Sequence, residues 1–579
     1  MTYDAQRVLV GREPVTVVDI VADYCDNTFS VAPCTATGAS GSECYNAYFH
    51  CQDQANYVLT TKTYRFIDQH ITPPPGELMI PSLISAGAAP AKIEPGKGLG
   101  RRASVTITLQ DHPHNDRDTD PYVDTRSYTP GTQGTYWGKW LARNRYYQGR
   151  LIKVRRGYVT APWDWNNFED HTYVIETIEG PDHNGKVRIV AKDMLKLADD
   201  KRAKVPAASS GKLRIDMDAE GATIYVTEGT GADYGSSGYV RIGSEIIKFD
   251  SRTTDDLESC TRAQWGTSAG SHTIDDTVQL CKAYDGDNAV DVAYDLLNTY
   301  SGVDVATYVT SADWDSERDT WMPSGTVQGI LSEPTGVNKL LGELSEQYGF
   351  VIWWDDVAQK IKLKALAPYR GTRPGVTAAE LVADSLSVKQ LPKERLSQIW
   401  FHFDMINHAE KGGEKSNYQT TLVHADLTKE GANLYGEARV KEIKSRWVAV
   451  GGVALFSAGR TLSRAKENPK EFKWRMDAGA TLPDIGDEYT IVMRTAQDQT
   501  GASATEYIQI TAKEEVVPGS VWEFTAITSA FAADRFAYIT ATGMGNYTAE
   551  TAANQLIYGF IADGTTGLMS NGDAPYLII

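Results

Sequence analysis

The sequence predicts a multi-domain, mainly β chain with α+β parts. Three observations carry this. The chain has 579 residues, and a single core rarely grows beyond about 250 residues, so several domains are expected. Its 50 Gly and 30 Tyr, among many Thr and Val, favour strands and turns. Apolar and polar residues alternate with a period of two over many stretches and switch to helical spacing in only a few.

Residues 1–80 form a cysteine-rich N-terminal segment that ends in the strand-like TKTYRFI. The stretch PPPGELMIPSLISAGAAPAKIEPGKGLGRR, residues 73–102, is rich in Pro, Gly and Ala and reads as an extended linker or long loop. In ASVTITLQD, Val105, Ile107 and Leu109 share one strand face and Thr106 and Thr108 the other. GRLIKVRRGYV and HTYVIETIEG continue as strands, and the Asn-Gly of HNGK turns the chain into VRIVAKDML. With its linkers, 81–210 therefore reads as an antiparallel barrel or sandwich. Residues 211–284 read as an inserted all-β domain (ATIYVTEG, GYVRIGSEIIKFDS, CTRAQWGTSAGSHTIDDTVQLC).

Residues 285–400 read as α+β. Val290, Ala293, Leu296 and Leu297 recur at helical spacing, as do Val337, Leu340, Leu341, Leu344 and Tyr348, with Asp287 and Thr335 as the expected N-caps. FVIWWDDVAQKIKLKAL reads as a hairpin in which Trp353 and Trp354 point to opposite sides, a pattern that suits a domain core on one side and a neighbouring subunit on the other, or two core faces. Residues 401–545 mix the strands LSQIWFHFDMI, DEYTIVMR, EYIQITAKEE and VWEFTAIT with one helix near 456–468. The extension 546–579 ends in an apolar tip, expected to dock on the chain itself or on a partner.

No apolar run approaches the roughly 20 residues of a membrane span, and MTYDAQRVLVGREP lacks a basic segment followed by an apolar one, so a secretory signal is not expected. The chain is expected to be made in a cytoplasm, where clustered thiols more often hold metal than pair as disulfides. A net charge of -18 argues against a nucleic-acid binder but suits a surface that DNA must slide past.

Four of the six cysteines, Cys25, Cys34, Cys44 and Cys51, fall within YCDNTFSVAPCTATGASGSECYNAYFHC. Their spacing is not the paired CxxC of a zinc ribbon, so number, clustering and compartment are the better evidence. Four thiolates suit tetrahedral zinc or a 4Fe–4S cluster. Pro33, Gly38 and Gly41 let the loops bend towards one centre, and Tyr24, Phe29, Tyr45, Phe49 and Tyr57 are available to shield it. Two disulfides or four unligated thiols remain alternatives. His50, beside Cys51, is a further possible ligand.

Elsewhere, catalytic patterns are weak. GKGLGRR lacks the phosphate-loop spacing and follows a Pro-rich stretch. HPHNDRDTD brings His112 and His114 close to Asp111, Asp116, Asp118 and Asp120, a possible divalent-metal set, but a solvated loop is the expected reading. HExxH is absent from the sequence. Cys260 and Cys281 are expected as core thiols or as a pair facing each other across strands, and His272 as a loop hydrogen-bonding residue.

The cysteine stretch, extended through QDQANYVLTTKTYRF, resembles the N-terminal cysteine motif of tail-tip hub proteins of long-tailed bacteriophages, which are similar to the hubs of prophages and gene transfer agents. CTRAQWGTSAGSHTIDDTV resembles the RGQxGTxxxxH element of phage tail and host-specificity proteins, TGVNKLLGELSEQYGFVIWWDDVAQKIKLKAL resembles the helix-plus-hairpin of hub domains, and NGDAPYLII resembles the C-terminal tails of virion tip proteins. The resemblance implies tail-hub-like β-barrel domains at 81–210 and 401–545, an α+β hub domain at 285–400, and a non-enzymatic virion protein at the tail tip, assembled in the host bacterial cytoplasm. It implies a homo-oligomeric ring, a trimer, that closes the tail tube, takes part in host attachment and passes DNA without binding it specifically. Implied partners are the distal tail protein, the tape-measure protein and the tail fibre or receptor-binding proteins. It implies a 4Fe–4S cluster on Cys25, Cys34, Cys44 and Cys51, with zinc as runner-up. Some relatives carry the cluster domain at the C-terminal end instead. An iron–sulfur redox enzyme and a secreted, disulfide-bonded β adhesin are the alternative readings.

Overall fold

The computed structural model describes residues 2–529, apart from 10, 38–43, 118, 200, 370–372 and 411, together with 536, 537, 551, 577 and 578. Within these the chain is mainly β, with several sheets and few helices. A short helix, α1 (Tyr3–Arg7), is followed by β1 (Pro14–Cys25), β2 (Leu59–Asp68), β3 (Ile80–Ala89), β4 (Ser104–Gln110), α2 (Tyr136–Arg143), β5 (Leu151–Tyr158), β6 (Phe168–Glu179) and β7 (Lys186–Lys192). The seven strands close into a barrel in the order β1-β2-β3-β4-β7-β6-β5.

The alternation read in β4 holds: Val105, Ile107 and Leu109 point into the barrel. They meet Ile20, Phe66, Val154 and Ile189 from neighbouring strands. Helix α2 inserts Tyr136, Trp137 and Trp140 into the same core, with Trp137 stacked on Phe66 at 5.3 Å between ring centroids. The barrel interior is therefore a packed core. The Asn-Gly turn joins β6 to β7 as an antiparallel pair.

Two parts of the barrel lie where the sequence suggested other structure. Strands β1 and β2 frame the cysteine segment, and Cys25 pairs directly with Leu59. Residues 26–58 are thus an insertion between two barrel strands. Strand β3 runs through the stretch read as a linker, because its small residues still pair in register with β4, Ala86 opposite Ile107 and Ala88 opposite Val105.

Residues 211–284 form a small β unit around Leu213, Ile224, Val240, Ile247, Phe249 and Leu257. The largest core gathers the helices Ala289–Tyr300 and Val337–Tyr348, the hairpin Phe350–Asp355 with Lys360–Ala365, the strand Gln398–Met405 and the helix Gly451–Ala465. It extends well past residue 400, because Ile399, Phe401, Ile443 and Trp447 pack against the two helices. The helix caps differ from expectation by one residue each. Asn288, not Asp287, accepts from Val290 N at 3.0 Å, and Thr335 belongs to a two-residue strand, leaving Gly336 at the cap.

A six-stranded sheet completes the described chain, in the order Gly375–Thr377, Glu488–Gln497, Ser503–Val517, Val521–Thr528, Lys470–Asp477, Ser387–Gln390. It is open rather than closed into the second barrel that the resemblance implied. Its two edge strands have only three and four residues, too short to meet each other and close the curve. The barrel docks on this sheet. Ile93 N donates to Thr511 O at 2.9 Å, Tyr158 OH to Gly519 O at 2.7 Å, Arg156 pairs with Glu515, and Arg7 reaches the Ala478 carbonyl. No helix among the described residues is long and apolar enough to cross a membrane. The apolar tip is described at Leu577 and Ile578, which pair in parallel with Phe536 and Ala537 of the same chain, one of the two dockings expected of it.

Candidate metal centre

The four clustered cysteines sit in one lobe on the barrel. Cys25 ends β1 and is buried, while Cys34, Cys44 and Cys51 are half-buried on the inserted loop. The sequence folds this loop through two cross-ties. Asn46, itself buried and in the left-handed region at φ 52°, accepts from Cys25 N through its carbonyl at 2.8 Å and donates from Nδ2 to Cys25 O at 2.8 Å. Its backbone N–H reaches Cys44 Sγ at 3.3 Å. One asparagine thereby joins Cys25 to Cys44; short polar side chains such as Asn tolerate this backbone conformation best. The second tie is Asp53, whose Oδ2 accepts from Thr35 N at 2.7 Å and Thr35 Oγ1 at 2.9 Å, joining the Cys34 turn to the Cys51 turn. The bends expected at Gly38 and Gly41 lie outside the described residues.

The four thiols share one electrostatic neighbourhood. Burial raises the Cys44 thiol, and negative charge on Cys51, Cys25 and Cys34 raises it further, against the Asn46 backbone donor. Burial likewise raises Cys51, with Cys25 and Cys34 adding to it. Burial and then the charges of Tyr122 and Cys44 push the Tyr24 hydroxyl up to about 12. None of the six cysteines of the chain is paired in a disulfide. The donor set thus fits a thiolate centre in kind, number and neighbourhood. It is not drawn together around one ion: among the described residues, no group of three or more His, Cys, Asp or Glu side chains is placed to hold a metal ion.

His50 does not join the set through its Nε2, which bonds the Ala142 carbonyl of α2 at 3.1 Å. Of the rings expected as shields, Tyr24, Phe29, Tyr45 and Tyr57 are half-buried in the lobe, whereas Phe49 is exposed beneath Arg145, 4.2 Å from ring centroid to guanidinium.

The stretch HPHNDRDTD is not the solvated loop expected of it. Asp116 and Asp120 are each about 1% exposed. Asp116 pairs with Lys139 at 2.8 Å and Arg143 at 2.6 Å, and Asp120 accepts two bonds from Arg126. These basic partners satisfy the carboxylates, so the loop is an internal ion-pair frame. His112 bonds the Pro113 carbonyl, Asp111 caps α2 at Trp137 N, and Asp118 lies outside the described residues. The frame packs on the cysteine lobe: Arg126 donates to Cys44 O at 2.6 Å, and Tyr122 OH accepts from Phe29 N at 2.8 Å. Asn46 and Arg126 were not singled out from the sequence. Only the buried-charge pattern of the fold reveals Arg126, which lies far along the chain from the cysteines.

In the inserted domain, Cys260 and Cys281 belong to different apolar clusters and do not face each other. Burial pushes Cys260 up to about 11 and Cys281 further still. His272 has a sharper role than a loop contact. It bonds Glu245 at 2.8 Å, and the same carboxylate accepts from Arg262 Nε and Nη2, Ala263 N and Gly270 N. The Arg and His of the RAQWGTSAGSH element thus close on one buried glutamate.

No protein-family model matches the chain, and no curated protein matches it. Among solved structures, the chain is similar to a tail protein of Neisseria meningitidis MC58, with a TM-score of 0.40, 10% identity, and 77% of this chain and 92% of that one covered. It is similar to the 43 kDa tail protein of prophage MuSo2 from Shewanella oneidensis, with a TM-score of 0.38, 10% identity, and 77% and 94% covered. It is similar to a chain of a native gene transfer agent virion, with a TM-score of 0.28, 10% identity, and 57% and 83% covered. These are likenesses of outline alone.

Proposed function

We propose that the chain is a structural virion protein, the tail-tip hub of a long-tailed phage or related particle, and that Cys25, Cys34, Cys44 and Cys51 hold a 4Fe–4S cluster within it. The observation that carries the reading is the lobe: four free cysteines, tied in pairs by Asn46 and Asp53, built as an insertion between two strands of a closed barrel. The resemblance of this stretch to hub cysteine motifs supports the same assignment.

When bound, the cluster supplies cross-linking. Four metal–thiolate bonds would hold residues 25–51 together where the lobe has little apolar core of its own, and ligand binding of this kind is folding free energy. Burial raises the Cys44 and Cys51 thiols, and binding a metal as thiolate releases their protons. The chain's own residues do the rest: Asn46 and Asp53 fix the turns, and the Asp116–Asp120 frame backs the lobe. In the proposed ring, DNA would pass between copies, since each barrel interior is filled by side chains. The net charge of -18 suits a wall that does not retain DNA.

The assembly part is tested by sedimentation of the purified chain together with antibody labelling of virions. The expected result is a mass of three chains of 63.6 kDa and label at the distal tail end. A monomer at every concentration with label on the capsid overturns it.

A further inference from the structure

We infer that Arg126 is a positioning residue for the four-cysteine centre, gripping the Cys44 ligand from the loop between β4 and α2. The inference rests on the metal-centre reading above and deepens it. The Arg126 side chain is 4% exposed and that of its partner Asp120 is fully buried. The two form a parallel fork, Nε to Oδ2 at 2.7 Å and Nη2 to Oδ1 at 2.8 Å. The fork fixes the guanidinium plane, since two bonds to one carboxylate leave it no freedom to rotate. From that plane Nη2 makes one further bond, 2.6 Å long, to the carbonyl of Cys44.

The surroundings point the same way. The guanidinium lies 4.1 Å from the ring centroid of Tyr45, the next residue, and Arg143 lies 4.5 Å from the same ring. Tyr45 OH meets Tyr128 OH at 3.3 Å, and Tyr122, whose N–H is held by Asp120, accepts from Phe29 N. Each of these contacts lands between the first ligand and the last. The frame therefore holds the ligand loop where the described residues of the inserted segment form no strand.

Charge agrees with position. Arg126, Arg143 and Lys139 pair with Asp116 and Asp120 beside the lobe. Four thiolates around zinc or an oxidised cluster leave a net negative centre, which cations nearby stabilise. Residues that orient a ligating side chain through a hydrogen bond change metal affinity about 10- to 100-fold when lost.

The test uses the full chain as wild type, Arg126→Gln, Arg126→Lys, Asp120→Asn and Cys44→Ser. Each is reconstituted with iron and sulfide without oxygen. Iron and sulfide content, the visible spectrum and the rate of metal loss to a chelator are then measured. Tryptophan fluorescence melting reports the fold of the chain, whose 13 tryptophans include Trp137 and Trp140 of the barrel core. The expected result is that R126Q keeps the barrel transition yet loses its cluster about 10- to 100-fold faster than wild type. R126K falls between the two, since it restores the charge and one donor but not the fork. If R126Q unfolds the barrel, the loss rate of R126K, read against that of wild type, decides by the same criterion. Loading, spectrum and loss rate equal to wild type in R126Q and R126K overturn the inference and leave the metal-centre reading standing. A wild-type chain that takes up neither iron nor, in a parallel reconstitution, zinc overturns both.

Discussion

Glu245 and Gly266 show how single residues fix the inserted domain and its place on the body. Burial alone would raise the Glu245 carboxyl; the Arg262 and His272 bonds with two backbone donors outweigh it and hold it at about 2. A carboxylate held below its ordinary value contributes stability that is present above about pH 4.5 and is lost as the pH falls towards 2. Glu245→Gln is therefore expected to flatten the acid limb of this domain's unfolding curve and to cost about 3 kcal/mol near neutral pH, from breaking a buried charge network. Urea unfolding at pH 7 and pH 3.5 checks both. Gly266 sits at φ +75°, and a Cβ there would lie 1.7 Å from the Ile406 carbonyl oxygen. Gly266→Ala is expected to cost about 2 kcal/mol or more, from left-handed strain and overpacking. A shift in the urea midpoint reads this directly. The Arg, Gly and His of this element stood out in the sequence, but their partner Glu245 did not, because a lone glutamate in an alternating strand looks like a solvent-facing residue.

At the scale of elements, local pattern was a good guide wherever one periodicity ran uninterrupted. Strand β4, the helices Ala289–Tyr300 and Val337–Tyr348 and the hairpin at Trp353–Trp354 were all legible. The hairpin's two tryptophans do point to opposite sides, and both sides are core of this same chain. Trp353 packs on Ile93 and Val351, and Trp354 lies in the helical core with its Nε1 donating to Thr172 O at 3.0 Å. Trp354→Ala is expected to cost about 3 to 5 kcal/mol, read by the denaturant midpoint of the whole chain. The cysteine lobe was legible as a set of thiols but not as a barrel insertion. Its flanks β1 and β2 pair across 33 intervening positions (26–58), a contact that no local pattern records. Strand β3 was hidden for a different reason: its Ala and Gly residues owe their extended form to pairing with β4 rather than to propensity.

For the whole molecule, the decisive contacts join domains. His171 and Tyr173 of β6 both bond Asp356 at the tip of the hairpin, at 2.8 and 2.9 Å. Lys513, Glu515, Asp484 and Arg156 line the same cavity, of about 90 Å³. Burial would lower the His171 imidazole, but the charges and hydrogen bonds of Asp356 and Glu169 win and raise it to about 10. A raised histidine contributes stability that is complete below its ordinary value and is lost as the pH rises through the folded one. The barrel-to-hairpin junction is therefore expected to weaken between about pH 6.5 and 10, and His171→Ala to remove that dependence. Tryptophan melting temperature against pH, in wild type and variant, checks it. None of this junction was legible in the sequence, since its members come from three separate parts of the chain. The same limit applied to Arg126 and Cys44.

The central claim is that Cys25, Cys34, Cys44 and Cys51 form one iron–sulfur centre. The most direct test is a visible absorption spectrum with iron and sulfide analysis on protein purified without oxygen. A broad visible band and about four irons and four sulfides per chain are expected, all lost in Cys44→Ser. A colourless protein with one zinc would replace the cluster with the runner-up metal. A colourless protein with neither metal contradicts the claim.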